Sequence, residues 1–76
     1  MMSATIWGIS RIRSTVEETI KELLGLAYRP NIKIRKLYVE DSKIVVEGEY
    51  EYSGEKGKYK IALHRSTLSL ISCEVN

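Results

Sequence analysis

The 76-residue sequence predicts an α+β fold, with one amphipathic N-terminal helix packed on a four-stranded antiparallel β-meander. Two observations predict it. Apolar residues recur with helical spacing over residues 14–28, and after Pro30 they alternate with period two. The stretch EGEYEYSGEKGKYKIAL, residues 47–63, then places Glu before and Lys after a Ser-Gly-rich turn, with Tyr and aliphatic residues between the charges. That is how a hairpin with one apolar and one charged face is written.

The helix is expected over 14–28. Ser14-Thr15-Val16-Glu17 has the form of a capping box, in which the Ser hydroxyl and the Glu carboxylate satisfy the first free amides. Val16, Ile20, Leu23, Leu24 and Ala27 fall on one stripe. Gly25 costs about 1 kcal/mol relative to Ala and marks close packing or early fraying. Pro30 forbids continuation and pushes Arg29 toward extended geometry. Residues 1–13 form an N-terminal arm with two open readings. Ile6, Ile9 and Ile12 recur every third residue, as in a helical turn, whereas Thr5-Ile6-Trp7 suits a short strand.

Four strands are expected, over 31–40, 43–52, 57–64 and 68–75. Ile32 and Ile34 point one way and Leu37 and Val39 continue one residue out of phase, which places a bulge near Arg35-Lys36. Glu40-Asp41-Ser42-Lys43 turns the chain, with Val39 opposite Ile44, Leu37 opposite Val46 and Lys36 opposite Glu47. For the second hairpin, a four-residue loop Ser53–Lys56 puts Tyr50 opposite Tyr59, Gly48 opposite Ile61, Val46 opposite Leu63, Glu51 opposite Lys58 and Glu49 opposite Lys60. His64–Thr67 turns into the last strand, which slips phase between Leu70 and Ile71. The helix is expected on the face of Val46, Tyr50, Tyr59, Ile61 and Leu63. The opposite face carries Tyr38, Val45 and Ala62, joined by Ile71, Cys73 and Val75.

A helix of the type STVEETIKELL, followed by two hairpins and ending YKIALHRSTLSLISCEV, resembles the PepSY-type and gas-vesicle-protein-O-type small domains over roughly residues 14–75. The resemblance implies a non-catalytic binding, inhibitory or assembly role and transfers no functional residue. The chain departs from the PepSY pattern at its final turn, where His64-Arg65-Ser66-Thr67 replaces an acidic or Gly-containing turn.

The chemistry-bearing residues are few. One Cys and one His leave too few ligands for a Cys/His zinc site and allow no intrachain disulfide. His64 and Asp41 are expected at strand ends far apart along the sheet, and no nucleophile motif surrounds a Ser. Cys73 reads as a small buried strand residue. Glu47, Glu49 and Glu51 stand about 7 Å apart along a strand, too far for neighbours to share one ion, and have lysine partners. SGEKGK lacks phosphate-loop spacing and joins strand to strand. No catalytic residue, cofactor or metal is therefore assigned.

Binding remains. The net charge is +2, but residues 1–36 hold seven Lys/Arg against three Glu, and residues 37–76 five against seven acids. Arg11, Arg13, Arg29, Lys33, Arg35 and Lys36 form a candidate patch for an acidic partner or nucleic acid, with Trp7, Tyr28 and Tyr38 available to stack bases. The weakly charged last strand, SLISCEV, reads as an edge that invites a second copy, with Trp7, Ile71, Cys73 and Val75 as the self-association residues. A third reading puts a small molecule between helix and sheet at a close approach of Gly25 and Gly48. The leading expectation is a small interaction or assembly module, a homodimer with scope for a protein partner. A lone thiol, no membrane-length apolar run and no secretory leader pattern in MMSATIWGISRIR point to the cytoplasm. Abundant Lys, Glu and Arg with one Asp, two Asn and no Gln resemble a thermophile composition.

Overall fold

The computed structural model describes residues 8–76, so Trp7 and the expected Thr5-Ile6-Trp7 strand lie outside the described residues. Helix α1 spans Ile9–Leu24 and strands β1 to β4 span Asn31–Glu40, Lys43–Tyr52, Glu55–His64 and Leu70–Val75. The strands form one antiparallel sheet in the order β1-β2-β3-β4, so β1 and β4 are its edges. This is the α+β meander that the periodicities predict.

The helix begins five residues earlier than the Ser14 signature suggests. Gly8 is its N-cap, in extended geometry and without a side-chain cap, and its carbonyl accepts from the amides of Arg11 and Ile12. Ile12 continues the buried stripe of Val16 and Ile20 backwards by one turn, and that apolar continuity outweighs the local capping pattern. Ser14 and Glu17 serve another purpose. Arg29 reaches back from the loop and donates to Ser14 Oγ at 3.0 Å and Glu18 Oε1 at 3.1 Å, with Glu17 Oε1 3.6 Å away. The hydroxyl and carboxylates that look like a cap are the anchor for the chain returning from the helix.

The helix also ends earlier, because Gly25 takes a left-handed conformation (φ 67°). The Gly25 and Leu26 amides both return to the Lys21 carbonyl, and Leu26 tucks against the core. This is a Schellman-type stop, which a glycine satisfies without the steric cost of a Cβ. Leu23, Leu24 and Ala27, expected on the core stripe, are instead exposed.

In the sheet, β1 and β2 pair with Val39 opposite Ile44, Leu37 opposite Val46 and Lys36 opposite Glu47, and the bulge falls between Ile34 and Lys36. The second hairpin corrects the expected register by two residues. Its loop is Ser53-Gly54 alone, both at positive φ, so that Tyr50 faces Gly57, Gly48 faces Tyr59, Val46 faces Ile61, Glu51 faces Lys56 and Glu49 faces Lys58. A two-residue slip keeps every side chain on its face, but the expected register leaves Glu47 opposite Ala62, whereas the observed one sets it opposite Lys60 as a third charge pair. Side-chain volume favours the same register, since the Tyr50 and Tyr59 rings each lie over a glycine instead of over each other. A Cβ on Gly48 would collide with the Lys33 carbonyl and come within 2.8 Å of the Tyr59 hydroxyl. One on Gly57 would lie 2.5 Å from the Tyr50 ring.

The core lies between helix and sheet, with Ile12, Val16 and Ile20 against Ile32, Ile44, Val46, Tyr59, Ile61 and Leu63. Leu68 closes its end. It holds φ 63°, uncommon for leucine, while its side chain is buried and its amide donates to the His64 carbonyl at 2.8 Å. In β4 the extra residue is Ile71, because Leu70 pairs with Leu63 and Ser72 with Ala62. Cys73 and Val75 then pair with Ile61 and Tyr59 and pack on the helix-side core, not on the opposite face as expected.

Gly48→Ala is expected to destabilise the fold by about 2–3 kcal/mol through overpacking. Gly8→Asp, where a Cβ meets nothing within 4 Å, should add about 0.5–1 kcal/mol by capping the helix and complementing its dipole. Urea denaturation of both variants checks the pair; a wild-type midpoint for Gly48→Ala would contradict the Tyr–Gly fit.

Candidate functional site

The candidate catalytic groups do not assemble. Cys73 lies on the helix-side face, and His64, opposite Lys43, lies on the outer face, so the sheet separates them. Burial, with the Glu74 charge beside it, pushes the Cys73 thiol up, which keeps it protonated at neutral pH. His64 and Asp41 are not far apart along the sheet as expected. A meander brings the β1–β2 and β3–β4 turns to the same end, and the Arg65 amide donates to the Ser42 carbonyl at 2.8 Å. Asp41, Ser42 and His64 are all exposed there, and no hydrogen bond joins their side chains among the described residues.

The expected basic patch is divided between two sides of the molecule. Arg13 donates to the Ile32 carbonyl at 2.8 Å, and Arg29 is held by Ser14, Glu17 and Glu18 on the helix. Arg35 pairs with Glu49 at 3.2 Å, and Lys33 and Lys36 face Glu49 and Glu47 across the outer sheet face. Arg11 stands on the helix with an interaction of its own. Tyr28 lies against Tyr52, ring centroids 4.6 Å apart, and the Tyr52 hydroxyl accepts from the Ala27 amide. Tyr38 donates to Glu47, which, after burial, raises its hydroxyl pKa. The expected Gly25–Gly48 approach is not formed: nothing lies within 4 Å of a Cβ on Gly25, and Tyr59 occupies the space beside Gly48. A shallow groove of about 330 Å³ runs instead over the outer face, lined by both signs of charge, including Arg35, Glu47, Lys60 and Glu74.

What the described residues leave open is the edges of the sheet. A helix about 10 Å across cannot cover four strands whose outer axes lie about 14 Å apart. Consider the helix-side row Val39–Ile44–Leu63–Leu70 across the sheet. Its centre is sealed, with Ile44 6% and Leu63 0% exposed, whereas Val39 is 53% and Leu70 51% exposed. Leu37 and Ile71 are likewise exposed beside them. Of the expected self-association residues, Ile71 belongs to this flank, while Cys73 and Val75 are half-buried behind it. The sequence pairs Leu37 with Val46 and Val39 with Ile44, on the side expected to carry the helix, and does not mark either as exposed. The missed signal was arithmetic, one helix for four strands.

The backbone of these flanks points outward. Lys58 and Asn76 exchange both backbone hydrogen bonds, so by antiparallel alternation Ser72 and Glu74 bond to β3 while Cys73 and Val75 turn their amides and carbonyls to the free edge. On β1, Glu40 closes a two-residue turn with Lys43, so Glu40, Tyr38 and Lys36 bond to β2 and Leu37 and Val39 face outward. Arg13 occupies the earlier part of that edge at Ile32. No hydrogen bond to the outward groups of Leu37 or Val39 comes from the described residues.

On the outer face the strands carry charge in columns: Lys33 and Lys36 on β1, Glu47, Glu49 and Glu51 on β2, Lys56, Lys58 and Lys60 on β3, and Glu74 on β4. Comparison with protein families, with curated proteins and with solved structures found no match to the chain.

Tyr59 ties the arrangement together, its buried hydroxyl donating to the Lys33 carbonyl at 3.1 Å beside the bulge. Burial pushes its pKa up from 10.0 to about 12, opposed by the Arg13 charge. The folded state favours the neutral phenol, so this contribution is complete below pH 10 and is lost as pH rises from 10 toward 12. Tyr59→Phe should lose about 1 kcal/mol at neutral pH for the missing hydrogen bond. It should also lack that part of the alkaline decline. Chemical denaturation in an alkaline pH series checks this; parallel declines in variant and wild type would contradict it.

Proposed function

We propose that this chain is a non-catalytic interaction module that self-associates through the open flanks of its sheet, the homodimer being the smallest product. The observation that carries the reading is the row Val39–Ile44–Leu63–Leu70, buried at its centre and half-exposed at both ends, where the backbone also faces outward. Exposed aliphatic residues beside open strand edges are the pattern that strand addition uses. A non-catalytic assembly role is also what the PepSY-type resemblance implies. The single half-buried thiol suits a reducing compartment, and on that ground we assign the protein to the cytoplasm. Among the described residues no helix is long and apolar enough to cross a membrane.

Sedimentation velocity from low micromolar to millimolar protein tests the reading. The weight-average mass is expected to rise above the 8.7 kDa of one chain as concentration increases. A constant 8.7 kDa over the whole range would overturn it.

A further inference from the structure

We propose that the contact between copies is head-to-tail, with the β4 edge of one copy pairing antiparallel with the β1 edge of the next, so that the sheet continues from molecule to molecule. This rests on the self-association reading above and names its partner surface. Strand direction permits it, because β1 and β3 run one way and β2 and β4 the other. A second β1 beside β4 therefore continues the meander without a break.

The side chains match row by row. Continuing the rows puts Leu70 beside Val39 of a second copy, Cys73 beside Leu37 and Ser72 beside Tyr38. Glu74 falls beside Lys36 of that copy, after the row Lys36–Glu47–Lys60–Glu74 within one chain. The alternation of basic and acidic columns is thereby preserved across the contact. The half-exposed apolar ends of the two edges come together on the helix side. Outward backbone groups also meet outward backbone groups, because Cys73 and Leu37 are both residues that turn their amides to the edge.

The alternatives fit less well. Pairing β1 with a second β1, centred on Tyr38, sets Lys36 against Glu40 and Leu37 against Val39 but leaves the whole β4 edge, with Leu70 and Glu74, unused. Pairing β4 with a second β4, centred on Cys73, sets Glu74 against Ser72 and leaves Lys36 unused. Closing two copies into an eight-stranded barrel would bury the charged columns in an interior wide enough only for packed side chains. The head-to-tail contact therefore stays open and adds further copies. Lysines on an edge strand deter pairing in general, and they deter least a strand that presents a carboxylate at the matching position. A contact five or six residues long buries well under the roughly 1,200 Å² of a stable complex, so the association is weak and reversible.

Sedimentation of Lys36→Glu, Glu74→Lys and the double variant, each checked for folding by circular dichroism, tests the contact. Each single change is expected to weaken association by about 3–10-fold, the reach of one inverted cross-strand pair. The double variant should recover it. Inside every chain of that variant, the new carboxylate at position 36 opposes Glu47 and the new amine at position 74 opposes Lys60, so recovery cannot arise from a repaired fold. An equimolar mixture of the two single variants should associate more strongly than either alone, and the wild type should grow past the dimer. Association unaffected by Lys36→Glu, a double variant weaker than both singles, or growth that stops at the dimer would overturn the head-to-tail contact and leave self-association standing. Wild-type protein that stays monomeric would overturn both.

Discussion

The fit of the Tyr59 ring over Gly48 is the contact on which the rest of the structure depends. It joins three strands, because the ring belongs to β3, the gap to β2 and the accepting Lys33 carbonyl to β1. It favours the same hairpin register as the third Glu–Lys pair, Glu47 with Lys60, over the one that would set Tyr50 against Tyr59. It also sits beside the bulge between Ile34 and Lys36, which moves Leu37 and Val39 onto the helix-side face. Without that change of phase, the exposed end of β1 would present charges to the helix side, and the apolar row to Leu70 would not exist.

The second constraint is width. The buried stripe of Ile12, Val16 and Ile20 seals the middle of the sheet, and Leu68 plugs one end at the cost of a left-handed backbone. The described residues leave the flanks uncovered because they hold a single helix, and a chain of this size has little spare core with which to cover them. Stability and the proposed association are coupled through the same apolar rows: their centres hold the domain together and their ends face outward. A loss of core packing and a loss of association are therefore separable only by variants on the outer, charged face.

The division between what was legible in the sequence and what was not follows physical lines. The first hairpin was readable to the residue because its bulge breaks the alternation, which pins the phase. The second was readable in its faces but not its register, since a shift of two residues leaves every face unchanged; the bulk of Tyr50 and Tyr59 against Gly57 and Gly48, and the extra pair Glu47–Lys60, decide it. The helix start was misplaced because Ser14 and Glu17 satisfy a capping pattern while answering to Arg29, a partner distant in sequence. For the site, Ile71 was legible as an exposed residue of the last strand. Leu37, Val39 and the pairing potential of Glu74 were not, because their exposure depends on where one helix falls over four strands. The basic residues that looked contiguous were divided by the sheet and engaged by Glu17, Glu18, Glu49 and the Ile32 carbonyl.

In the proposed assembly, copies of this chain meet at the two sheet edges and not at the exposed end of the helix. Leu23 and Tyr28 are as exposed as Val39 and Leu70, so exposure alone does not separate the two surfaces. A residue-resolved NMR dilution series does. The amide resonances of Leu37, Val39, Cys73 and Val75 are expected to shift together with increasing concentration while those of Leu23, Leu24 and Tyr28 stay fixed. Concentration-dependent shifts confined to the helix end, or none at the edge amides, would contradict the account.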